Sequence, residues 1–203
     1  MRLGILGGTF DPIHVGHLAA AHAAIGCAHL DRVLFIPSAK PPHRAPAAAP
    51  AADRLAMTRL AVQGEPLFEV SDVEFARGGV SYTADTLSEL HRTRPEDELF
   101  LILGWDAARL FRTWHEPERV RSLAAVVIVG RPGTKTPGRS ELVAAGLDPD
   151  RVLECFVVTP DVSASTLREL LSAGESVAGK VPAAVERYIT SKHLYGDNRT
   201  VGT

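Results

Sequence analysis

The chain predicts an α/β fold: a doubly wound, mostly parallel, Rossmann-like sheet with helices on both faces and a helical C-terminal end. Two observations carry this. Apolar, strand-like runs recur at residues 3–6, 33–37, 68–75, 99–103, 125–129 and 152–158, with helical patterns between most of them. Alternation of this kind builds a parallel sheet, and its crossovers are right-handed. The second observation is the turn after the first strand, Gly7-Gly8-Thr9-Phe10-Asp11-Pro12-Ile13-His14-Val15-Gly16-His17. It ends a buried strand and opens an Ala-rich helix over residues 18–25. In an open parallel sheet, ligands bind outside the carboxyl ends of the strands. A helix start adds free N–H groups and a positive dipole end, both suited to phosphate. Glycine lets backbone N–H groups approach a ligand closely. His14 and His17 are three apart and share one face of a helical turn.

The whole chain fits this reading. Its 203 residues suffice for one domain with a real core, spanning 1–203. A formal net charge of −2 does not point to a polyanion, so no nucleic-acid partner is expected. No apolar run approaches membrane-spanning length, and the start of the chain shows no signal-peptide pattern. Cys27 and Cys155 form no CxxC or zinc spacing, so the expectation is two free thiols in a reducing, cytoplasmic setting. A homo-oligomer is compatible with the chain. No set of metal ligands at zinc spacing is present.

Further along, Ser38-Ala39-Lys40-Pro41-Pro42-His43-Arg44 forms a proline-rich loop at the end of the second strand. It runs into a Pro/Ala tract, so residues 41–52 are expected to form a mobile loop. Asp53 is the expected N-cap of an amphipathic helix over residues 53–62. Gly78-Gly79-Val80-Ser81-Tyr82-Thr83 ends one element and opens a helix to about residue 91. Gly104 and Asp106 fall at the end of a central strand, where glycine permits close approach and aspartate can accept ribose hydroxyls. Trp105 lies between them. Thr113-Trp114-His115 follows a short helix, and Arg131 follows the next strand. Val162-Ser163-Ala164-Ser165-Thr166-Leu167-Arg168 opens another helix, with Thr166 and Glu169 at capping-box spacing. A final helix is expected over residues 181–195, with Pro182 in its first turn, and residues 196–203 as a flexible tail.

The glycine–histidine stretch resembles the signature of the HxGH nucleotidyltransferases. The resemblance runs from Gly7 to Tyr195 and is nearest to the bacterial nicotinate-nucleotide adenylyltransferases. It implies transfer of AMP from ATP to nicotinate mononucleotide, giving deamido-NAD and pyrophosphate. His14, His17 and Arg168 are then the catalytic groups. Gly7, Gly8, Thr9, Phe10, Gly16, Lys40, Arg44, Gly104, Asp106, Arg131, Ser163 and Ser165 would serve ATP and its phosphates. Ser38, Tyr82, Thr83, Trp105, Trp114 and His115 would serve the acceptor. Mg²⁺ is implied on the ATP phosphates, with no protein metal site. Three departures stand out: Arg44 replaces a commoner Lys, Trp105 replaces a small residue, and Ala164 and Ser165 replace Ser and Thr. Nicotinamide mononucleotide or phosphopantetheine are alternative acceptors, although phosphopantetheine enzymes usually carry Thr in place of His14. A non-catalytic nucleotide-binding module is the alternative from another class.

Overall fold

A computed structural model describes residues 1–41, 46–130, 137–156 and 160–196. Six parallel strands form one sheet in the order β3-β2-β1-β4-β5-β6. They are β1 (Arg2–Gly8), β2 (Arg32–Pro37), β3 (Phe68–Val70), β4 (Glu98–Gly104), β5 (Ala124–Gly130) and β6 (Val152–Phe156). The helices are α1 (Val15–Ala28), α2 (Ala51–Val62), α3 (Val73–Arg77), α4 (Thr83–Thr93), α5 (Trp105–Ala108), α6 (Pro117–Leu123), α7 (Arg139–Ala145), α8 (Ala164–Ser172) and α9 (Ala183–Ser191). The chain winds outward from β1 through β2 to β3, then returns to the other side of β1 for β4, β5 and β6. Strand order therefore reverses between β1 and β4, and a crevice opens at their carboxyl ends.

Period-2 alternation sorts the side chains of the apolar strands into two cores. Ile5, Leu34, Leu101, Leu103, Val126 and Ile128 face α4, α6 and α7. Leu6, Phe35, Phe100, Ile102, Val127 and Val129 face α1, α2, α8 and α9. Alanines make α1 thin on its buried side, where Ala21, Ala24 and Ala28 reach the sheet. Gly4 of β1 completes this close approach. A Cβ there would lie 2.7 Å from Leu30 Cδ1 and 2.9 Å from Ile102 Cδ1. Among the described residues, no helix is long and apolar enough to cross a membrane.

Several local expectations are corrected. The third strand ends at Val70 rather than running to Phe75, because residues 73–77 turn into α3 and bury Glu74. Asp53 is not the N-cap of α2. The helix starts at Ala51 behind Pro50, and Asp53 in its first turn accepts a bond from Tyr188 Oη at 2.8 Å. In α8 the cap is Ser163, whose Oγ accepts from Thr166 N at 3.1 Å, rather than Thr166 itself. The last helix closes at Ser191, short of Tyr195. The stretch expected as a mobile loop is anchored over its second half. Ala48 and Ala49 donate backbone N–H bonds to Asp11, and Ala51 is already helical. Residues 42–45, the end of the sixth run at 157–158, and 197–203 of the expected tail lie outside the described residues.

The largest correction concerns the cysteines. Cys27 in the last turn of α1 and Cys155 in β6 are joined in a disulfide. Separation by 128 residues hid their proximity. Parallel winding brings β6 to the far edge of the sheet, where α1 crosses over it. The reducing-compartment inference thus loses its premise of free thiols. Closing a loop of this length restricts the unfolded chain, by about 4 to 5 kcal/mol on a chain-entropy account. Unreduced, denatured protein is expected to take up no thiol alkylating reagent, and reduced protein two equivalents. Cys27→Ser should lower the unfolding free energy by about 2 to 5 kcal/mol, measured by denaturant titration.

Candidate active site

The β1–α1 turn sits at the reversal crevice and is built around a buried carboxylate. Asp11 is 5% exposed. Its Oδ2 accepts from Ala48 N at 2.7 Å, and its Oδ1 accepts from Ala49 N at 3.0 Å and Tyr195 Oη at 2.8 Å. The Asp11 carbonyl accepts from Arg168 Nη1 at 2.7 Å. That guanidinium also lies 3.9 Å from Asp11 Oδ2. Phe10 adopts φ 48° in this turn, and the Asp11–Pro12 bond is cis. Below the turn, the fully buried Arg54 donates to Thr9 O at 2.6 Å and to Ala39 O at 3.4 Å. This one side chain ties the loop after β1 to the loop after β2. Burial lowers its pKa against the opposing pull of Asp11.

His14 caps α1 from an extended backbone conformation and is 3% exposed. Its ring stacks on His17, with centroids 3.7 Å apart and planes 24° from parallel. The His14 N–H donates to His17 Nδ1 at 3.2 Å. An accepting Nδ1 leaves the proton of a neutral imidazole on Nε2. Phe10 meets His17 edge-on at 5.0 Å and fixes its other side. Gly16 leaves room for this stack: a Cβ there would lie 3.0 Å from His14 Nδ1 and 3.1 Å from its Cε1, so the ring would have to shift by a few tenths of an ångström. The helix start is less open than expected, since Val15 N bonds Lys180 O at 3.0 Å and His17 N bonds His14 O at 3.0 Å.

Two clefts meet here. The first, about 490 Å³, is lined by Gly7, Gly8, Thr9, Phe10, Gly16, His17, Gly104 and Arg168, with Asp11, Ala48 and Ala164. The second, about 480 Å³, is lined by Ser38, Tyr82, Thr83, Asp106, Trp114 and His115, with Glu74, Ser81 and Thr86. Gly7, Gly8, Thr9, Leu103, Gly104 and Ala107 border both. One wall therefore separates a histidine–arginine chamber from an aromatic chamber, at the carboxyl ends of β1 and β4.

Most of the sequence-derived candidates converge on these clefts, and some do not. His14 lies behind His17 rather than on the cleft wall. Asp106 borders the second cleft, not the first, with its side chain largely in solvent. Trp105 lines neither cleft; half-buried, it packs against the core under α5. Ser163 and Ser165 also line neither, and their hydroxyls bond each other at 3.0 Å. Lys40 is exposed, and its backbone is clamped by Ser81, whose Oγ accepts from Lys40 N at 3.0 Å while Ser81 N donates to Lys40 O at 2.9 Å. Arg44 and Arg131 lie outside the described residues. Sequence reasoning missed Asp11, Arg54 and Glu74. A charged residue inside an otherwise apolar helix face, as Arg54 is in α2, was the available signal for one of them.

Two tests follow from this geometry. Gly16→Ala is expected to displace the His14 ring and lower turnover at least tenfold, in protein whose circular dichroism is unchanged. Burial and the Asp11 carboxylate push the Tyr195 phenol far above its ordinary value of 10.0. The folded pKa is the higher one, so the stabilisation is complete below pH 10 and is lost as pH climbs towards the folded value. Tyr195→Phe should cost about 1.5 to 3 kcal/mol at pH 7. Denaturant titrations repeated above pH 10 should show the wild-type advantage shrinking.

Known proteins share this architecture. The model of the family described as Cytidylyltransferase-like matches residues 5–170. A Thermus thermophilus protein named "Probable nicotinate-nucleotide adenylyltransferase" is 48% identical over 195 residues, covering 96% of this chain and 100% of its own length. A Geobacter sp. (strain M21) protein of the same name is 42% identical over 216 residues, covering 98% of this chain and 100% of its own length. Among solved structures, Plasmodium falciparum nicotinic acid mononucleotide adenylyltransferase complexed with NaAD superposes with a TM-score of 0.77 at 18% identity, covering 96% of this chain and 97% of that one. At that identity the match speaks for the fold. With a family model spanning most of its length and relatives matched end to end, the chain belongs to the cytidylyltransferase-like family.

Proposed function

We propose that the protein is a nicotinate-nucleotide adenylyltransferase, joining ATP and nicotinate mononucleotide to give deamido-NAD and pyrophosphate. The observation that carries this is the pair of clefts sharing the wall at Gly7, Gly8, Thr9 and Gly104. A nucleotidyl transfer needs two nucleotides whose phosphates meet at one point. The first cleft takes ATP, with its phosphates towards His17 and Arg168. The second takes the acceptor, with its pyridine ring between Tyr82 and Trp114.

The chemistry asks little covalent work of the protein. An oxygen of the acceptor phosphate attacks the α-phosphorus of ATP in line, the bond from that phosphorus to the bridging oxygen breaks, and pyrophosphate leaves with the electron pair. Catalysis is then positioning and charge stabilisation. His17 presents an Nε2–H donor, because its Nδ1 is occupied by the His14 N–H. His14 holds that ring in place by stacking, and Arg168 offers the guanidinium N–H groups that Asp11 does not use to the leaving oxygens. Lys40, Arg44 and Arg131 are assigned to the ATP phosphates on the family resemblance alone. Ser163 and Ser165 serve by ordering the start of α8. The N–H groups at the start of α4, with Thr83, receive the nicotinate carboxylate, and Ser38 and His115 border the same chamber. Asp106 accepts from a ribose hydroxyl.

Magnesium enters with its substrate, as MgATP, and neutralises phosphate charge. Among the described residues no group of three His, Cys, Asp or Glu side chains is placed to hold a metal ion, and Asp11 spends both oxygens on protein donors. The ion would be held through phosphate and water oxygens.

The deciding assay is pyrophosphate release from MgATP, with nicotinate and nicotinamide mononucleotides compared. A preference of about a hundredfold or more for the acid is expected, because donors placed for a carboxylate face an NH₂ group on the amide. Equal rates would leave the reaction standing and remove the carboxylate assignment to α4. His14→Ala and Arg168→Ala should each lower kcat by about 10² to 10³ while the fold is retained. Wild-type rates in both would overturn the mechanism.

A further inference from the structure

The two clefts differ in charge. The first holds Arg168 and His17. Among the described residues lining the second there is no lysine or arginine, but there are two carboxylates, Glu74 and Asp106. Glu74 is the unusual one. It is 7% exposed, on the short helix α3. Its Oε1 accepts from Thr86 Oγ1 at 2.9 Å, while Oε2 is sealed from solvent and meets no hydrogen-bond partner among the described residues. A buried carboxylate left half-satisfied is costly, and such a group calls for a specific explanation.

Its surroundings offset its charge only in part. Arg77 reaches the same Thr86 hydroxyl at 3.1 Å, but it is also paired with Glu89 at 3.5 Å. Glu74, Arg77 and Glu89 together leave one net negative charge behind the cleft wall. The buried Arg54 feels both Asp11 and Glu74, but its hydrogen bonds go to the Thr9 and Ala39 carbonyls rather than to either acid. The same cleft is lined by aromatic rings: Tyr82 lies against His115 at 4.1 Å, and Trp114 is backed by Phe111 at 5.3 Å. An aromatic chamber with a buried, half-satisfied carboxylate in its lining suits a flat cation.

Building on the adenylyltransferase reading, we infer that the second cleft selects the acceptor by the positive charge of its ring. Glu74 acts as a specificity residue through space, and Trp114 and Tyr82 supply the contact. The ligand class is an N-glycosylated pyridinium, and the enzyme discriminates against mononucleotides whose ring is neutral, including dihydropyridines. The acceptor carboxylate does not oppose this, because it is received at the start of α4, where the helix dipole is positive. Oε2 is out of solvent reach, so Glu74 reads charge rather than forming a hydrogen bond to the ligand.

The test compares nicotinate mononucleotide with its carbon-linked analogue, which keeps the ribose, phosphate and carboxylate but carries an uncharged ring. The KM of the first and the KM, or inhibition constant, of the second are measured with MgATP. Wild-type enzyme should favour the charged ring about tenfold. Glu74→Gln should narrow that ratio to about threefold or less, chiefly by weakening the charged substrate, while Glu74→Asp retains it. A purely structural role for Glu74 would weaken both ligands alike, and that result would overturn its assignment. If Glu74→Gln does not fold, the wild-type ratio decides, and a ratio near one overturns the inference. Turnover of nicotinate mononucleotide with a ratio near one would leave the adenylyltransferase reading intact. Absence of turnover with either acceptor would instead bring down that reading and the inference with it.

Discussion

The site depends on one buried carboxylate. Asp11 lies in the tightest part of the β1–α1 turn, with both oxygens removed from water. Burying that charge is unfavourable unless donors surround it, and they come from three separate places: the backbone at Ala48 and Ala49, the Tyr195 hydroxyl, and the Arg168 guanidinium nearby. The bond from Tyr195 spans 184 residues. A single desolvated group therefore holds the β1–α1 turn, the approach to α2, the C-terminal segment and α8 in one arrangement. Arg168 reaches the first cleft because it is tethered to the Asp11 carbonyl.

A second constraint comes from topology. Strand order reverses between β1 and β4, so the helices that follow these two strands leave from opposite faces and part the surface above them. Gly7, Gly8 and Gly104 keep the intervening wall thin. Two chambers of similar volume result, with different lining because different helices approach each side. The β5–β6 side contributes α8 and its arginine, and the β2–β3 side contributes α3, α4 and their acids and hydroxyls. The difference between the histidine–arginine chamber and the aromatic chamber follows from the winding.

Arg54 and the disulfide have related structural parts. Arg54 fastens the Thr9 and Ala39 carbonyls from beneath, linking loops that belong to different strands. The Cys27–Cys155 bond fastens the opposite end of α1 to the last strand. The helix that carries the stacked histidines is thus held at its start by the Asp11 turn and at its end by a covalent tie.

Strand–helix alternation, the Gly7–His17 motif and the second motif at Arg168 were legible in the sequence, because each is local. A period-2 apolar run, a glycine-rich turn and a hydroxyl-capped helix start all declare themselves within about ten residues. The same holds for Tyr82, Thr83 and Trp114, whose neighbours form recognisable segments. Only the tertiary structure could decide the rest. Trp105 and Asp106 are adjacent in the chain, yet one packs into the core and the other faces solvent beside the second cleft, because the turn of α5 points them apart. Asp53 looks like a cap and is instead a partner for Tyr188. Cys27 and Cys155, Asp11 and Tyr195, and Glu74 with its unshared oxygen owe their roles to distances set by winding and burial. The sequence by itself determined the order of the elements and the chemistry carried at each strand end. The fold decided which of those groups are desolvated together, and desolvation is what gives a carboxylate, an imidazole pair or a guanidinium its strength.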